Sequence, residues 1–286
     1  MRTRLEKIAI IGVGLIGGSL GLICREKRLA GSVWGHGRSE SNLRKAVELG
    51  LIDRYSLDLR EAVEGADLVV LATPVESIIK TGEKISPFLR ENAVVTDVGS
   101  AKEKIVRRME EILPRNIRFV GAHPIAGTEK SGPEAAFAEL FQDRYCILTP
   151  TEYTDNGALG LVRELWEQTG ARVDVMDPEK HDRILALISH LPHMAAYALV
   201  DSLSKKEREF PGLFSYVAGG FRDFSRIASS SPVMWKEICL QNGKAIIQGI
   251  EVLRGALSEI AEAIENGNGE KLEKIFLNAK VIRDGL

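Results

Sequence analysis

Five histidines punctuate the chain, at 36, 123, 181, 190 and 193, and one of them stands where an imidazole could take a proton from a small molecule. His123 follows the apolar run Arg118 to Val120, in Gly121-Ala-His123-Pro124-Ile-Ala-Gly127-Thr-Glu129-Lys-Ser131-Gly132. That position is the expected carboxyl end of a strand, where open α/β sheets hold their ligands, and the glycines let a loop fold closely over a substrate. A neutral imidazole there can accept a hydroxyl proton while a hydride leaves the same carbon, because its unperturbed pKa is near working pH. A histidine hydrogen-bonded within a turn fits the same local pattern.

Three other clusters could contribute. Asp97-Val-Gly99-Ser100-Ala-Lys102 repeats the strand-to-loop arrangement, with Ser100 free to act near a nicotinamide or to cap the next helix. His190-Leu-Pro-His193 has no carboxylate cluster beside it, so substrate contact or helix-end hydrogen bonding is expected rather than metal ligation, and no metal is expected elsewhere. Gly219-Gly-Phe-Arg222-Asp223-Phe-Ser-Arg226 puts two arginines one helical turn apart, with Asp223 able to orient Arg226 for a bidentate grip on a carboxylate. A surface salt-bridge cluster would look the same.

The elements that position these groups begin with Lys7-Ile-Ala-Ile-Ile-Gly12-Val-Gly14-Leu15-Ile16-Gly17-Gly18, an apolar strand entering G-x-G-x-x-G before an apolar helix. Gly12 suits the tight turn, Gly14 lets backbone approach a pyrophosphate, and Gly17 packs helix against strand, a dinucleotide-binding arrangement. The helix then presents free N–H groups and its positive dipole end to the phosphates. Where an NAD site carries an acid on the ribose, this chain has Gly37 followed by Arg38 and Ser39. A guanidinium and a hydroxyl suit a 2′-phosphate, so NADP is favoured over NAD, with Glu40 on the ribose as the alternative.

Strand-like runs recur at βα spacing: Ile8 to Ile11, Val33 to Trp34, Leu68 to Ala72, Ala93 to Thr96, Arg118 to Val120, Tyr145 to Leu148 and Arg172 to Met176. Amphipathic stretches such as Ser41 to Leu49, Val75 to Ile85, Ala101 to Leu113 and Asp155 to Thr169 lie between them. This alternation predicts an α/β domain over 1–176, a Rossmann-type, doubly wound and mostly parallel sheet. From 177 to 286 the apolar residues fall at helical spacing, as in Ile246, Ile250, Leu253, Leu257 and Ile260, which predicts an all-helical domain. Its leftover apolar faces point to a homodimer, and Pro192 is expected to kink or stop its helix.

Bulk composition narrows the class. With 38 basic and 40 acidic residues in 286, no broad cationic surface is available for nucleic acid or anionic lipid. Cys24, Cys146 and Cys239 are far apart and show no C-x-x-C spacing, which fits reduced thiols in a cytoplasmic protein. The uncharged run Ile8 to Cys24 is too short and glycine-rich for a membrane span and lacks a cleavage site, and no other run suggests one.

Gly12-Val-Gly-Leu-Ile-Gly17-Gly-Ser, Leu71-Ala-Thr73-Pro74, Asp97-Val-Gly-Ser100, the His123 loop, His190-Leu-Pro-His193 and Gly220-Phe-Arg-Asp223-Phe-Ser-Arg226-Ile-Ala228 together resemble, in order, the prephenate/arogenate dehydrogenase family. The resemblance implies a nucleotide domain followed by a helical dimerisation domain, and NAD- or NADP-dependent oxidative decarboxylation of prephenate, or of arogenate. It implies that His123 accepts the ring-hydroxyl proton with Ser100 at the same oxygen, that Arg226 anchors a substrate carboxylate, and that His193 and Glu129 line the pocket. Gly12, Gly14, Leu15, Ile16, Gly17, Arg38, Ser39, Thr73 and Pro74 would contact the cofactor. With the chain ending at Leu286, neither a chorismate mutase domain nor a C-terminal regulatory domain is expected.

Overall fold

A computed structural model describes residues 5–128 and 130–286. The first part runs β1 (Leu5–Ile11), α1 (Leu15–Glu26), β2 (Ala30–His36), α2 (Glu40–Glu48), β3 (Arg54–Ser56), α3 (Leu59–Val63), β4 (Leu68–Leu71), α4 (Val75–Ile85), β5 (Val94–Asp97), α5 (Glu103–Ile112), β6 (Arg118–Pro124), β7 (Tyr145–Thr149), α6 (Asn156–Gln168) and β8 (Arg172–Val175). These strands form one sheet of order β3-β2-β1-β4-β5-β6-β7-β8. Strands buried on both faces read as nearly unbroken apolar runs, and successive residues serve opposite layers. Ile8, Ile10, Leu68 and Val70 pack with α1, α2 and α6, while Ala9, Ile11, Val69 and Leu71 pack with α3, α4 and α5.

The sheet is parallel except where β7 meets β6, with Gly121 opposite Thr149 and His123 opposite Ile147. Among its described residues the link from β6 to β7 carries two short 3-10 turns, Pro133–Ala135 and Ala138–Phe141, in place of a crossover helix, and the chain returns antiparallel. β3 and α3, three and five residues long, escaped the sequence pattern because each is too short for its periodicity to repeat.

The second part is helical: α7 (Pro178–Leu185), α8 (Leu191–Lys206), α9 (Gly219–Ser225), α10 (Pro232–Gln241), α11 (Gly243–Glu265) and α12 (Gly269–Asp284). Its small core joins Ala186, Trp235, Ile238 and Ile246. Pro192 does not stop its helix. A π-helical turn at Ala186–His190, with the Leu191 N–H bonded to the Ala186 carbonyl, shifts the bonding register just before the proline and carries α7 into α8. The resulting helix, Pro178–Lys206, is long and apolar enough to cross a membrane by length and composition, which the sequence reading missed because the proline seemed to divide it. Here its first part, α7, packs against α5 and β7, and His181, Asp182 and His190 are buried, a polar set that a lipid-facing helix would not carry.

Candidate active site

At the carboxyl edge of the sheet the glycine turn has the shape its spacing predicts. Gly12 has φ +101°, and a Cβ there would lie 2.4 Å from the Ala72 carbonyl oxygen. A Cβ on Gly17 would meet the Gly12 carbonyl oxygen at 2.1 Å, so helix and turn touch backbone to backbone. Gly14, the N-cap of α1, has no side-chain cap, and a Cβ there would meet nothing within 4 Å. The first-turn N–H groups of Leu15, Ile16 and Gly17 therefore face an open anion cradle, and no acid lies in that turn. Beside it the Thr73 hydroxyl is buried without a partner, with Pro74 exposed next to it. Bare N–H groups and an unpartnered hydroxyl fit a dinucleotide.

Arg38 and Ser39 are exposed beyond β2. The Ser39 hydroxyl caps α2, accepting from Asn42 N–H at 3.3 Å, so its claim on a phosphate is shared with the helix. The Glu40 carboxylate is held by Arg44 at 2.8 Å and by the Tyr55 hydroxyl at 3.3 Å, which lowers its pKa and turns it away from a ribose role.

Around His123 the structure brings together residues the sequence scattered. Asp97 ends β5 and forms a fully buried ion pair with Lys102. Its carboxylate accepts from Gly99 N–H at 2.9 Å and from Ala122 N–H at 3.2 Å, while the Lys102 ammonium donates to the Ala122 carbonyl at 3.0 Å. The pair thus clamps the backbone that carries Ser100 to the backbone that carries His123. Removing one member would strand a buried charge, at a cost of about 3–5 kcal/mol.

Next in line is a relay. His123 Nδ1 lies 2.8 Å from His181 Nε2, and His181 Nδ1 lies 2.8 Å from Asp182 Oδ1. Asp182 also accepts from the backbone N–H of Lys102 at 2.7 Å and of Glu103 at 3.0 Å, so the N-terminus of α5 is capped from the helical domain and not by Ser100. Burial pushes His123 well below the ordinary histidine range, with nearby His181, Lys102 and His190 adding to the effect. It stays a neutral base throughout the physiological range.

The remaining groups lead outward. Burial lowers His190 to about 4. Asn242 donates to the Asp182 carbonyl at 2.7 Å and reaches His190 Nδ1 at 3.3 Å. His193 donates from Nδ1 to the Ser189 carbonyl at 2.9 Å and stacks on Trp235 with ring centres 3.9 Å apart. The Trp235 indole N–H is buried without a partner. His193 is lowered by burial and, secondarily, by the Arg226 charge, so the guanidinium is close enough to be felt there. Arg226 is exposed and caps the end of α9, its N–H bonded to the Arg222 carbonyl, so the two arginines stand one helical turn apart as expected; among the described residues Asp223 makes no ion pair with Arg226. Glu129 lies outside the described residues. His181, Asp182, Lys102 and Trp235 were missed in the sequence; the only local signal was His181-Asp182 just past an N-capped helix start.

Comparison with known proteins identifies the family. Residues 20–175 match the family model described as the prephenate dehydrogenase nucleotide-binding domain, and residues 177–278 match the one described as its dimerization domain. The chain belongs to the prephenate dehydrogenase family. It is 38% identical to a crystallised prephenate dehydrogenase from Aquifex aeolicus, in complex with hydroxyphenyl propionate and NAD+, with a TM-score of 0.94 over 100% of this chain and 99% of that one. It is 33% identical to Synechocystis arogenate dehydrogenase, TM-score 0.84, over 98% of this chain and 99% of that one. A cyclohexadienyl dehydrogenase from Zymomonas mobilis is 36% identical over 98% of this chain and 96% of its own length. Like the rest of the family, the chain is a nicotinamide-dependent oxidoreductase carrying a dimerization domain.

Proposed function

We propose that the chain is a prephenate dehydrogenase, oxidising prephenate to 4-hydroxyphenylpyruvate with loss of carbon dioxide. One observation carries the reading: a buried His123 stands at the end of β6, and His190 and His193, both packed on Trp235, bring the helical part up beside it with the Arg226 charge felt at His193. Prephenate bears one ring hydroxyl and two carboxylates, so its site needs a proton acceptor, a cation and a closed cleft. His123 accepts the hydroxyl proton with Ser100 at the same oxygen, Arg226 takes a carboxylate, and His193 lines the space between. A bound nicotinamide supplies the hydride acceptor, and its dinucleotide is held by Gly12, Gly14, Leu15, Ile16, Gly17, Thr73 and Pro74. Loss of carbon dioxide restores an aromatic ring, so the protein has mainly to position and polarise.

NADP is the proposed cofactor, because Glu40 is engaged by Arg44 and Tyr55 while Arg38 is exposed just past the end of β2. A homodimer is proposed because α11 and α12 leave Val252, Leu257, Phe276, Val281 and Ile282 exposed, an apolar face suited to a second copy. The three thiols, none of them in a disulfide, suit the cytoplasm. Arogenate is the second reading, since a protein named arogenate dehydrogenase is 33% identical over nearly the whole chain.

The test is reduced-nicotinamide absorbance with prephenate or arogenate and each cofactor in turn. The highest kcat/KM is expected for prephenate with NADP. A clear preference for arogenate or for NAD replaces that part of the assignment, and no reduction with either substrate overturns it. Sedimentation equilibrium at micromolar protein should give a dimer; a monomer removes that proposal.

A further inference from the structure

The relay behind His123 has a direction that hydrogen-bond chemistry fixes. Asp182 accepts two backbone N–H groups from α5 and has no proton to give, so the proton in its bond to His181 sits on His181 Nδ1. A neutral His181 then offers Nε2 only as an acceptor. The bond from His181 to His123 needs a donor, and that donor is the His123 Nδ1–H.

We propose that His181 and Asp182 are positioning residues that lock His123 in its Nδ1–H tautomer, leaving Nε2 as the ring's single lone pair for the substrate proton. The inference rests on the functional reading above for what His123 does, but the tautomer itself can be measured without substrate. His181 is fully buried and Asp182 nearly so, which keeps water from offering other partners. The groups facing the relay are Lys102 and Asp97 from the clamp, and His190 and Asn242 from the helical domain. Burial also holds His181 below its ordinary range, against the opposing pull of Asp182, so it is neutral and able to accept near pH 7. Because Asp182 caps α5 as well, the lock closes only when the helical domain is docked on the sheet.

An Asp182→Asn side chain can present its NH2 to His181 Nδ1, which reverses both bonds and puts the proton on His123 Nε2. In a serine-protease triad the equivalent change costs about 10⁴ in kcat through the wrong tautomer. Here a fall of about 10²–10⁴-fold in kcat is expected for Asp182→Asn, with the KM for prephenate within about threefold. His181→Phe removes the acceptor and should fall in the same range. The decisive readout is the ¹⁵N spectrum of histidine-labelled full-length protein with NADP bound. His123 should show a protonated Nδ1 and a bare Nε2 in the wild type, and this should reverse or average in Asp182→Asn. Since the wild-type spectrum needs no variant, a misfolded mutant would not leave the question open. A protonated Nε2 in the wild type, or an Asp182→Asn enzyme within twofold of wild-type kcat, overturns the proposal. If the tautomer is as stated but neither prephenate nor arogenate is oxidised, the functional reading falls and the lock stands.

Discussion

Three of the helices that start at the carboxyl edge of the sheet, α1, α4 and α5, have the same dipole and lack a cap from their own N-cap side chain, yet their ends are treated differently. The N-terminus of α1 has no side-chain cap and opens onto empty space at Gly14. The N-termini of α4 and α5 are closed by carboxylates from the helical domain, Glu237 on Glu76 N–H at 3.2 Å and Asp182 on Lys102 and Glu103 N–H. An uncapped positive end is a site for a ligand's phosphate, and a capped one is a joint between domains. The edge is thus divided into a cofactor part and a docking part, and His123 belongs to the docking part through His181.

The sharpest way to break that division is at His123. His123→Asn cannot accept a proton, so kcat should drop by about 10²–10⁴-fold in steady-state assays while KM stays within a few fold. Near-normal turnover would move the chemistry elsewhere. The next effect comes from making α1 resemble α5. Gly14→Asp puts a carboxylate at an N-cap in extended backbone with room for it, so the fold should hold or gain stability. Nucleotide affinity should fall by about 10²–10³-fold, because like charges brought together cost several kcal/mol. Unchanged affinity by calorimetric titration would mean the open end is not the phosphate site.

Acid tests the docking part alone. His190 has a folded pKa of about 4 against about 6.5 unfolded, so below pH 6.5 the unfolded chain binds the extra proton and stability falls as the pH drops. This one residue should remove roughly 2 kcal/mol between pH 7 and pH 5, with His123 and His181 shifted in the same direction. Denaturant midpoints across that range should therefore slope, and His190→Gln should flatten the slope. An unchanged slope would show that His190 is solvated rather than buried.

Which parts of this were legible in the sequence follows from how local each signal is. The glycine turn, the alternation of strands and helices, and His123 at a strand end are written in neighbouring residues, and they stand where the pattern put them. Ser100 offered two roles locally, and the structure removes the capping one by bringing Asp182 across 80 residues. The His181 to His123 bond spans 58 residues and the Glu237 cap 161, so nothing beside either residue announces it. Pro192 misled because the rule it follows assumes α-helical register, and the π turn before it changes the register. The reversal of β7 goes with a link that, among its described residues, has 3-10 turns and no α-helix, which periodicity alone does not report.

The smallest effect separates the two docking carboxylates. Glu237 and Asp182 both cap a helix of the nucleotide domain, but only Asp182 touches the relay. Glu237→Ala should therefore cost about 1 kcal/mol, the ordinary loss for an N-cap, and lower Tm by a few degrees. Its kcat should match the wild type, because the clamp, the relay and the open end of α1 keep all their bonds. If Glu237→Ala instead loses turnover as steeply as Asp182→Asn, docking itself governs the chemistry. The orientation of His123 would then be a consequence of domain closure that either cap can impose.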